Sequence, residues 1–246
     1  MKIFKYLFVT LYRIWFYVLV TLPILILFPL LVISILKESW YPFFFKLARI
    51  WARIILFGMG FTPVVKKEAH YDRQASYMFV SNHTSMADIM LMLYVTPNPF
   101  VFVGKKELSR IPLFGFFYKR TCILVDRDSP TSRKNVFESA QRKLNQGLGV
   151  CIFPEGGVPD DISVDLDSFK DGAFRLAIEH NIPIAPMTFH DNKRRFAYEY
   201  LSVSPGRMRV KVHKVIPTEI LDIKDKRLLK DQTRTIILEE LRTPSI

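Results

Sequence analysis

The chain opens on a long apolar stretch and changes character near residue 62. From Ile14 to Leu36 run 23 residues without a charge. As a helix they would reach roughly 34 Å at ~1.5 Å per residue, enough to cross a hydrocarbon core. The stretch is too long for a signal-peptide core, and no small-residue cleavage site follows it. Pro23 and Pro29 each remove a backbone donor, so a kinked span and a re-entrant helical hairpin are both open. A second apolar segment, Trp40 to Phe61, carries only the charges Lys46, Arg49 and Arg53, which fall on one helical face. An apolar helix with a basic stripe fits one lying among lipid headgroups with its cations on phosphates. A membrane-buried helix with snorkelling cations is the alternative. Residues 1–61 are expected to form a membrane-anchoring helical region, distinct from a domain over 62–246.

In that second region short apolar runs alternate with helical patterns. Strands are expected at Tyr77–Val80, Phe100–Val103, Cys122–Val125, Val150–Phe153 and Ile182–Met187, with Arg209–His213 alternating like an edge strand. Helices are expected at Ala87–Val95 and over about 131–146, 171–180 and 225–242. This order predicts an α/β domain with a mixed, mostly parallel sheet flanked by helices. In such sheets ligands bind beyond the carboxyl ends of strands.

Composition narrows the class. Half of the 246 residues are hydrophobic, and Gly and Pro together number 25, which excludes a low-complexity or disordered chain. The net charge is +12, and residues 1–65 hold seven Lys/Arg against one acid, Glu38. Half of the basic excess therefore sits on the most apolar quarter. Basic and greasy points to an anionic membrane surface, whereas basic and polar would point to nucleic acid, so no nucleic-acid partner is expected. Cys122 and Cys151 cannot build a disulfide framework and lack zinc-site spacing, which points to a reducing, cytosol-facing setting; both are expected in strands of the core. His70, His180, His190 and His213 have no Asp or Cys at a useful spacing and are expected at the surface or at strand ends.

Candidate chemistry follows the first of these strands, in Ser81-Asn82-His83-Thr84-Ser85-Met86-Ala87-Asp88. Five positions apart on one helix, His83 and Asp88 would point roughly 140° from each other and could not pair. They pair if His83 lies in the strand-to-helix turn and Asp88 in the first helical turn, with Thr84 or Ser85 as N-cap. The carboxylate would then fix the imidazole tautomer and stabilise the imidazolium formed on proton abstraction. A structural histidine beside a capping aspartate has the same spacing. No GxSxG elbow is present, so an acyl-serine route is not indicated.

Four blocks in order resemble the glycerolipid acyltransferase family. They are Asn82-His83 to Asp88, Gly104-Lys105-Lys106-Glu107-Leu108 with Val125-Asp126-Arg127, Phe153-Pro154-Glu155-Gly156, and Ile182-Pro183-Ile184-Ala185-Pro186. Phe169 to Phe174 resembles the stretch between the last two. The resemblance implies that His83 is the general base, that Asp88 orients it, and that Lys105 and Arg127 bind the acceptor's phosphate. It implies that Glu155 binds an acceptor hydroxyl or holds the cations, that Gly156 shapes the turn, and that Pro183 and Pro186 shape a wall near the acyl chain. Arg127 could instead pair with Asp126 or Asp128, and Lys105 could be a solvated loop cation. No resident cofactor is implied; coenzyme A, acyl carrier protein or acyl phosphate would bring the acyl group. The implied partners are membrane phospholipids, a lysophospholipid acceptor and that donor.

One departure bears on the acceptor. The family usually continues Glu-Gly with Thr-Arg; here Gly157-Val158 follows, and four Asp then fall between Asp160 and Asp167. A solvated acidic loop is one reading, and an acceptor less anionic than lysophosphatidic acid, such as a lyso-aminolipid, is another. Asp191 to Arg195 is a basic turn that faces either headgroups or solvent. The expected activity is acylation of 1-acylglycerol-3-phosphate at the cell membrane, with the site facing the cytoplasm. A different lysolipid acceptor is the nearest rival, and a non-catalytic lipid-binding protein the remote one.

Overall fold

The computed structural model describes residues 2–68, 70–126, 129–159 and 163–246. Three helices come first: α1 (Lys2–Ile26), α2 (Phe28–Ser34) and α3 (Tyr41–Gly58). Then follow β1 (Phe61–Lys67), β2 (Met78–Ser81), α4 (Ala87–Val95), β3 (Phe100–Lys105), α5 (Phe114–Thr121), β4 (Ile123–Val125) and α6 (Pro130–Leu144). The rest comprises β5 (Gly149–Ile152), α7 (Gly172–Glu179), β6 (Ile184–Phe189), α8 (Asn192–Phe196), β7 (Gly206–Val212) and α9 (Lys226–Arg242).

The single sheet has the order β1-β7-β6-β2-β5-β3-β4. The five strands from β6 to β4 run parallel, and β7 pairs antiparallel with β6 and parallel with β1. This is the mixed, mostly parallel sheet that the alternation predicts. One strand has a different place: Arg209 to His213 does not form an edge, because β1 covers β7 along seven register pairs. Pro63 within β1 cannot donate to a ladder, and an edge strand is where that loss is tolerated.

The charge-free run over 14–36 is not one span. α1 extends back to Lys2, contains Pro23, and breaks at Leu27; Pro29 then sits in the first turn of α2, where its missing N–H is not needed. α1 is long and apolar enough, by length and composition, to cross a membrane. Its inner face is nevertheless committed to protein. Phe16 lies 4.5 Å, centroid to centroid, from Phe196, and Tyr12 Oη and Trp15 Nε1 donate to the carbonyls of Met59 and Gly58. Phe16, Phe45 and Ile55 belong to the same buried cluster as Phe79, Phe100 and Phe174 of the α/β part. A fully buried side chain of this size contributes roughly 1.5–3 kcal/mol.

The basic stripe of α3 is also divided. Arg49 is half-buried and donates to the carbonyls of Leu93 and Tyr94 at the end of α4, at 3.0 and 3.3 Å, so it caps a helix instead of reaching phosphate. Lys46 and Arg53 are exposed.

At the far side of the sheet two histidines expected at the surface or strand ends lie at strand ends but are buried. His190 Nε2 is 3.2 Å from Glu240 of α9, and His213 Nε2 is 2.8 Å from Thr188 Oγ1. Burial pushes the His213 imidazole down to about 4, against the raising influence of Glu68 and Glu240. The unfolded chain therefore takes up this proton first as pH falls. The neutral side chain contributes fully above its ordinary value near 6.5, and that stability drains away between about 6.5 and 4. At ~1.36 kcal/mol per pH unit this amounts to about 3 kcal/mol. Thermal unfolding should thus show a midpoint falling steeply over that window. His213→Gln should flatten the fall without abolishing it, since burial lowers His190 in the same direction. An unchanged slope in the variant would remove His213 from the account.

Candidate active site

β2 runs out at Ser81, and the next residue continues the pairing with its side chain. Asn82 Nδ2 donates to the Phe189 carbonyl at 2.9 Å, and Asn82 Oδ1 accepts from the Phe189 N–H at 2.8 Å. The carboxamide acts as one more peptide between β2 and β6, and it aims the chain into the turn. His83 lies in that turn and Asp88 in the first turn of α4, as the pairing requires. His83 Nδ1 donates to Asp88 Oδ2 at 2.7 Å. Ser85, one of the two expected caps, accepts the Ala87 N–H on its hydroxyl at 3.0 Å, although the helical boundary falls at Met86.

Asp88 is fully buried, and its carboxylate is saturated. Besides the imidazole, Oδ2 takes the N–H groups of Thr84 and Ser85 at 2.6 and 2.9 Å. Oδ1 takes Asn192 Nδ2 at 2.5 Å. The imidazole plane is held as well: His83 stacks on Phe153 with centroids 4.4 Å apart and planes 19° from parallel, and Phe153 stacks in turn on Phe102. Nε2 carries no partner among the described residues, leaving it free to take a proton.

Glu155 holds this turn from the neighbouring strand. Its Oε1 accepts the His83 backbone N–H at 2.6 Å, and its Oε2 accepts the Asp167 N–H at 2.9 Å. Burial pushes its carboxyl up, opposed by those two amides. No cation lies within ion-pair distance of it among the described residues, and its contacts there brace two loops. Gly156 has φ +80°, and a Cβ there would also meet the Lys170 side chain at 2.7 Å. The positive φ calls for glycine in this turn, whereas the Lys170 chain end could move aside.

These groups open onto a cavity of about 970 Å³. Its inner wall is apolar and is built largely from the amino-terminal helices: Ile24, Leu27, Leu31, Phe44 and Trp51, with Phe117 of α5. Its polar end holds His83, Lys105, Gly156, Val158 and Lys193. Lys105, the last residue of β3, is exposed. Before it, Gly104 is obligatory, since a Cβ would stand 1.8 Å from the Tyr118 hydroxyl oxygen. Arg127 lies outside the described residues, as do Asp160 and Asp161. Pro183 and Pro186 do not line the cavity; Pro186 is a buried member of β6, which corrects the wall expected from them.

One residue of the site, Asn192, carried no signal as a site residue in the sequence. Asn82 and Phe153 open two of the blocks that resemble the family, but their contacts come only from strand order: Phe153 stacks on the His83 ring, and Asn82 acts through a strand partner 107 positions away. The basic turn at Asp191 to Arg195 is a short helix whose first residue, Asn192, is wholly buried against Asp88.

A histidine–aspartate pair stands at the mouth of an apolar cavity, beyond the ends of parallel strands, an arrangement that could take a proton beside a bound acyl chain. Residues 63–190, just over half of the chain, match the Acyltransferase family, and the chain belongs to that family. Two relatives show the spread. The 1-acyl-sn-glycerol-3-phosphate acyltransferase alpha of Homo sapiens is 30% identical over 199 residues, 80% of this chain and 70% of the relative. The 1-acyl-sn-glycerol-3-phosphate acyltransferase of Haemophilus influenzae is 33% identical over 134 residues, 54% of each chain. The crystal structure of the 1-acyl-sn-glycerophosphate (LPA) acyltransferase PlsC from Thermotoga maritima shares the fold. Its TM-score is 0.79 over 100% of this chain and 99% of its own, at 19% identity.

His83→Ala should lower kcat by about 10²–10⁴, the worth of a general base, with the thermal midpoint kept. Asn192→Leu strands one oxygen of a buried carboxylate. A hydrogen bond to a charged group is worth ~1.5–3 kcal/mol, so kcat should fall by roughly tenfold or more while the acceptor KM stays near the parent value. Steady-state kinetics on the purified proteins checks both, and parent-like turnover in either variant would remove that residue from the chemistry.

Proposed function

We propose that this acyltransferase is anchored at the cell membrane, faces the cytoplasm, and acylates the free hydroxyl of 1-acylglycerol-3-phosphate to give phosphatidic acid. The observation that carries the reading is the free Nε2 of His83 at the polar end of a long apolar cavity. Pockets for small ligands run from about 300 to 1,000 Å³, so this one has room for a fatty acyl chain.

The acceptor hydroxyl gives its proton to His83 Nε2 while its oxygen attacks the acyl carbonyl carbon. Asp88 stabilises the imidazolium that forms. As the tetrahedral intermediate collapses, the bond from the acyl carbon to the donor's leaving group breaks, and the imidazolium returns the proton to that group. No covalent acyl-enzyme is needed. Lys105 ends β3, Arg127 comes two residues after β4 in the sequence, and both are assigned to the acceptor's phosphate, a dianion suited to paired cations.

The anchor is residues 1–61. The outward residues Leu7, Leu11, Ile14 and Val18 of α1 are spaced by fours and threes and are exposed. They form an apolar stripe that fits lipid. Because the inner face of this region completes the core, removing it would expose the core itself; charges placed on the stripe are the sharper test. Leu7→Glu with Leu11→Glu and Ile14→Glu should release the protein from anionic vesicles in flotation while its circular dichroism stays native. Full retention would put the anchor elsewhere.

The activity is tested by assaying the parent on a panel of lysolipids with one chain length. Lysophosphatidic acid should be the best acceptor, and Arg127→Ala should raise its KM by roughly 10–150-fold, the worth of a charged hydrogen bond. Turnover confined to a lyso-aminolipid, with sensitivity to Asp160→Asn and Asp161→Asn instead, would transfer the assignment to that acceptor.

A further inference from the structure

The turn Glu155-Gly156-Gly157-Val158 ends on an aliphatic residue that lines the polar end of the cavity beside His83. Where the family that the chain resembles usually continues with Thr-Arg, Gly157-Val158 offers no charge. Among the described residues, a phosphate monoester at this point would meet Lys105 from the β3 side of His83 and no cation from the turn itself.

The opposite side of His83 supplies one. β6 is the neighbour of β2 away from β5, and α8 follows it directly. Three consecutive basic residues sit on α8, and their surroundings separate them. The Arg195 guanidinium is spent on the carbonyls of Pro205 and Arg207 and on Ser204 Oγ. Arg194 is exposed and is not among the cavity residues. Lys193 is half-buried and lines the cavity with His83 and Val158. It comes immediately after Asn192, whose amide holds Asp88, so its backbone is fixed relative to the dyad.

The Lys193 ammonium is carried to the loop that Val158 begins. Its Nζ donates to the Val164 carbonyl at 3.0 Å. That is a neutral partner, and an ammonium has three protons to give. No carboxylate lies within ion-pair distance of Nζ among the described residues. A half-buried cation with a single neutral partner among the described residues, at the wall of a cavity assigned to an anionic ligand, is poised for that anion.

We propose that Lys193 is an acceptor-binding residue that contacts the phosphate of the lysolipid and replaces, from α8, the cation that Val158 cannot provide. The inference rests on the lysophosphatidic acid reading above. It places the headgroup between cations on both sides of His83, with Lys105 on one side and Lys193 on the other, so the hydroxyl next to the phosphate lies over the imidazole.

The test uses the full chain in detergent micelles and compares lysophosphatidic acid with a monoacylglycerol of the same chain, which lacks the phosphate. Lys193→Gln keeps a donor for the Val164 carbonyl but removes the charge, Lys193→Met removes both, and Lys193→Arg keeps both. Affinity for each lipid is measured on a His83→Ala background, where nothing turns over, and KM on the active enzyme. Lys193→Gln and Lys193→Met should each weaken lysophosphatidic acid by roughly 10–150-fold, leave monoacylglycerol binding unchanged and leave the thermal midpoint near the parent value. Lys193→Arg should restore most of the affinity. If Lys193→Gln binds lysophosphatidic acid like the parent, or if both lipids weaken equally, Lys193 only holds the loop and the inference falls while the acceptor assignment stands. If the parent does not acylate lysophosphatidic acid at all, the acceptor assignment falls first and takes the inference with it.

Discussion

The Asp88 carboxylate is the interaction on which the site depends. A fully buried anion costs several kcal/mol unless its lone pairs are filled, and removing one partner is more damaging than never having had the pair. Here four donors fill them: the His83 ring, the amides of Thr84 and Ser85, and the Asn192 carboxamide. Three come from the turn after β2 and the fourth from the helix after β6. The imidazole cannot swing away without stranding charge in the interior, so its Nε2 is held in place before any substrate arrives. Such preorganisation is what lets a proton transfer proceed without rearrangement.

Sheet order explains why these groups meet. β6 and β5 flank β2 as parallel neighbours, so the chain leaving each emerges at the same edge. One neighbour delivers Asn192 and Lys193, and the other delivers Phe153, Glu155 and Gly156. β3 follows beyond β5 and delivers Lys105. Anion and cations are thereby sorted by depth. Asp88 is sealed beneath the turn, while Lys105 and Lys193 stand at the cavity wall without carboxylate partners among the described residues. The polar end thus presents positive charge to an incoming anion, although a carboxylate lies directly behind the base.

The strands and helices that surround this site could be read from hydrophobic period because most are simple buried runs of four to six residues or helices with one apolar face. His83 and Asp88 were legible as a pair only because a turn between them removes the angular mismatch of a continuous helix. What escaped the sequence has physical reasons. β1 contains Pro63, which speaks against a strand unless the strand is an edge, and edge position is a property of the whole sheet. α8 has five residues, too few to show a period. Arg49 sits on the same helical stripe as Lys46 and Arg53, yet it caps α4; a stripe gives direction and not partner. The buried histidines gave no sign because their partners, Thr188 and Glu240, lie on other elements. Asn192 and Phe153 depend on strand order in the same way.

The amino-terminal helices are continuous with the catalytic turn, which bears on how a lipid surface and a reaction centre communicate. Arg13 of α1 donates to the carbonyls of Ala197, Glu199 and Tyr200, and its guanidinium lies over the rings of Phe196 and Tyr200. Phe196 in turn accepts the Ser85 hydroxyl at 2.6 Å, and Ala197 forms an antiparallel bridge with Ser85. Ser85 is one of the groups that hold Asp88. A chain of hydrogen bonds therefore runs from a helix whose outer face is apolar to the carboxylate beneath the base. Spending a guanidinium on three carbonyls also satisfies its charge within the protein, so α1 can carry Arg13 at its centre without exposing it to hydrocarbon. The face of α1 that would meet lipid and the face that touches the site are opposite sides of one rigid element. Residues of this helix therefore reach both the cavity, through Ile24, and the turn beneath the base, through Arg13 and the Ala197 carbonyl.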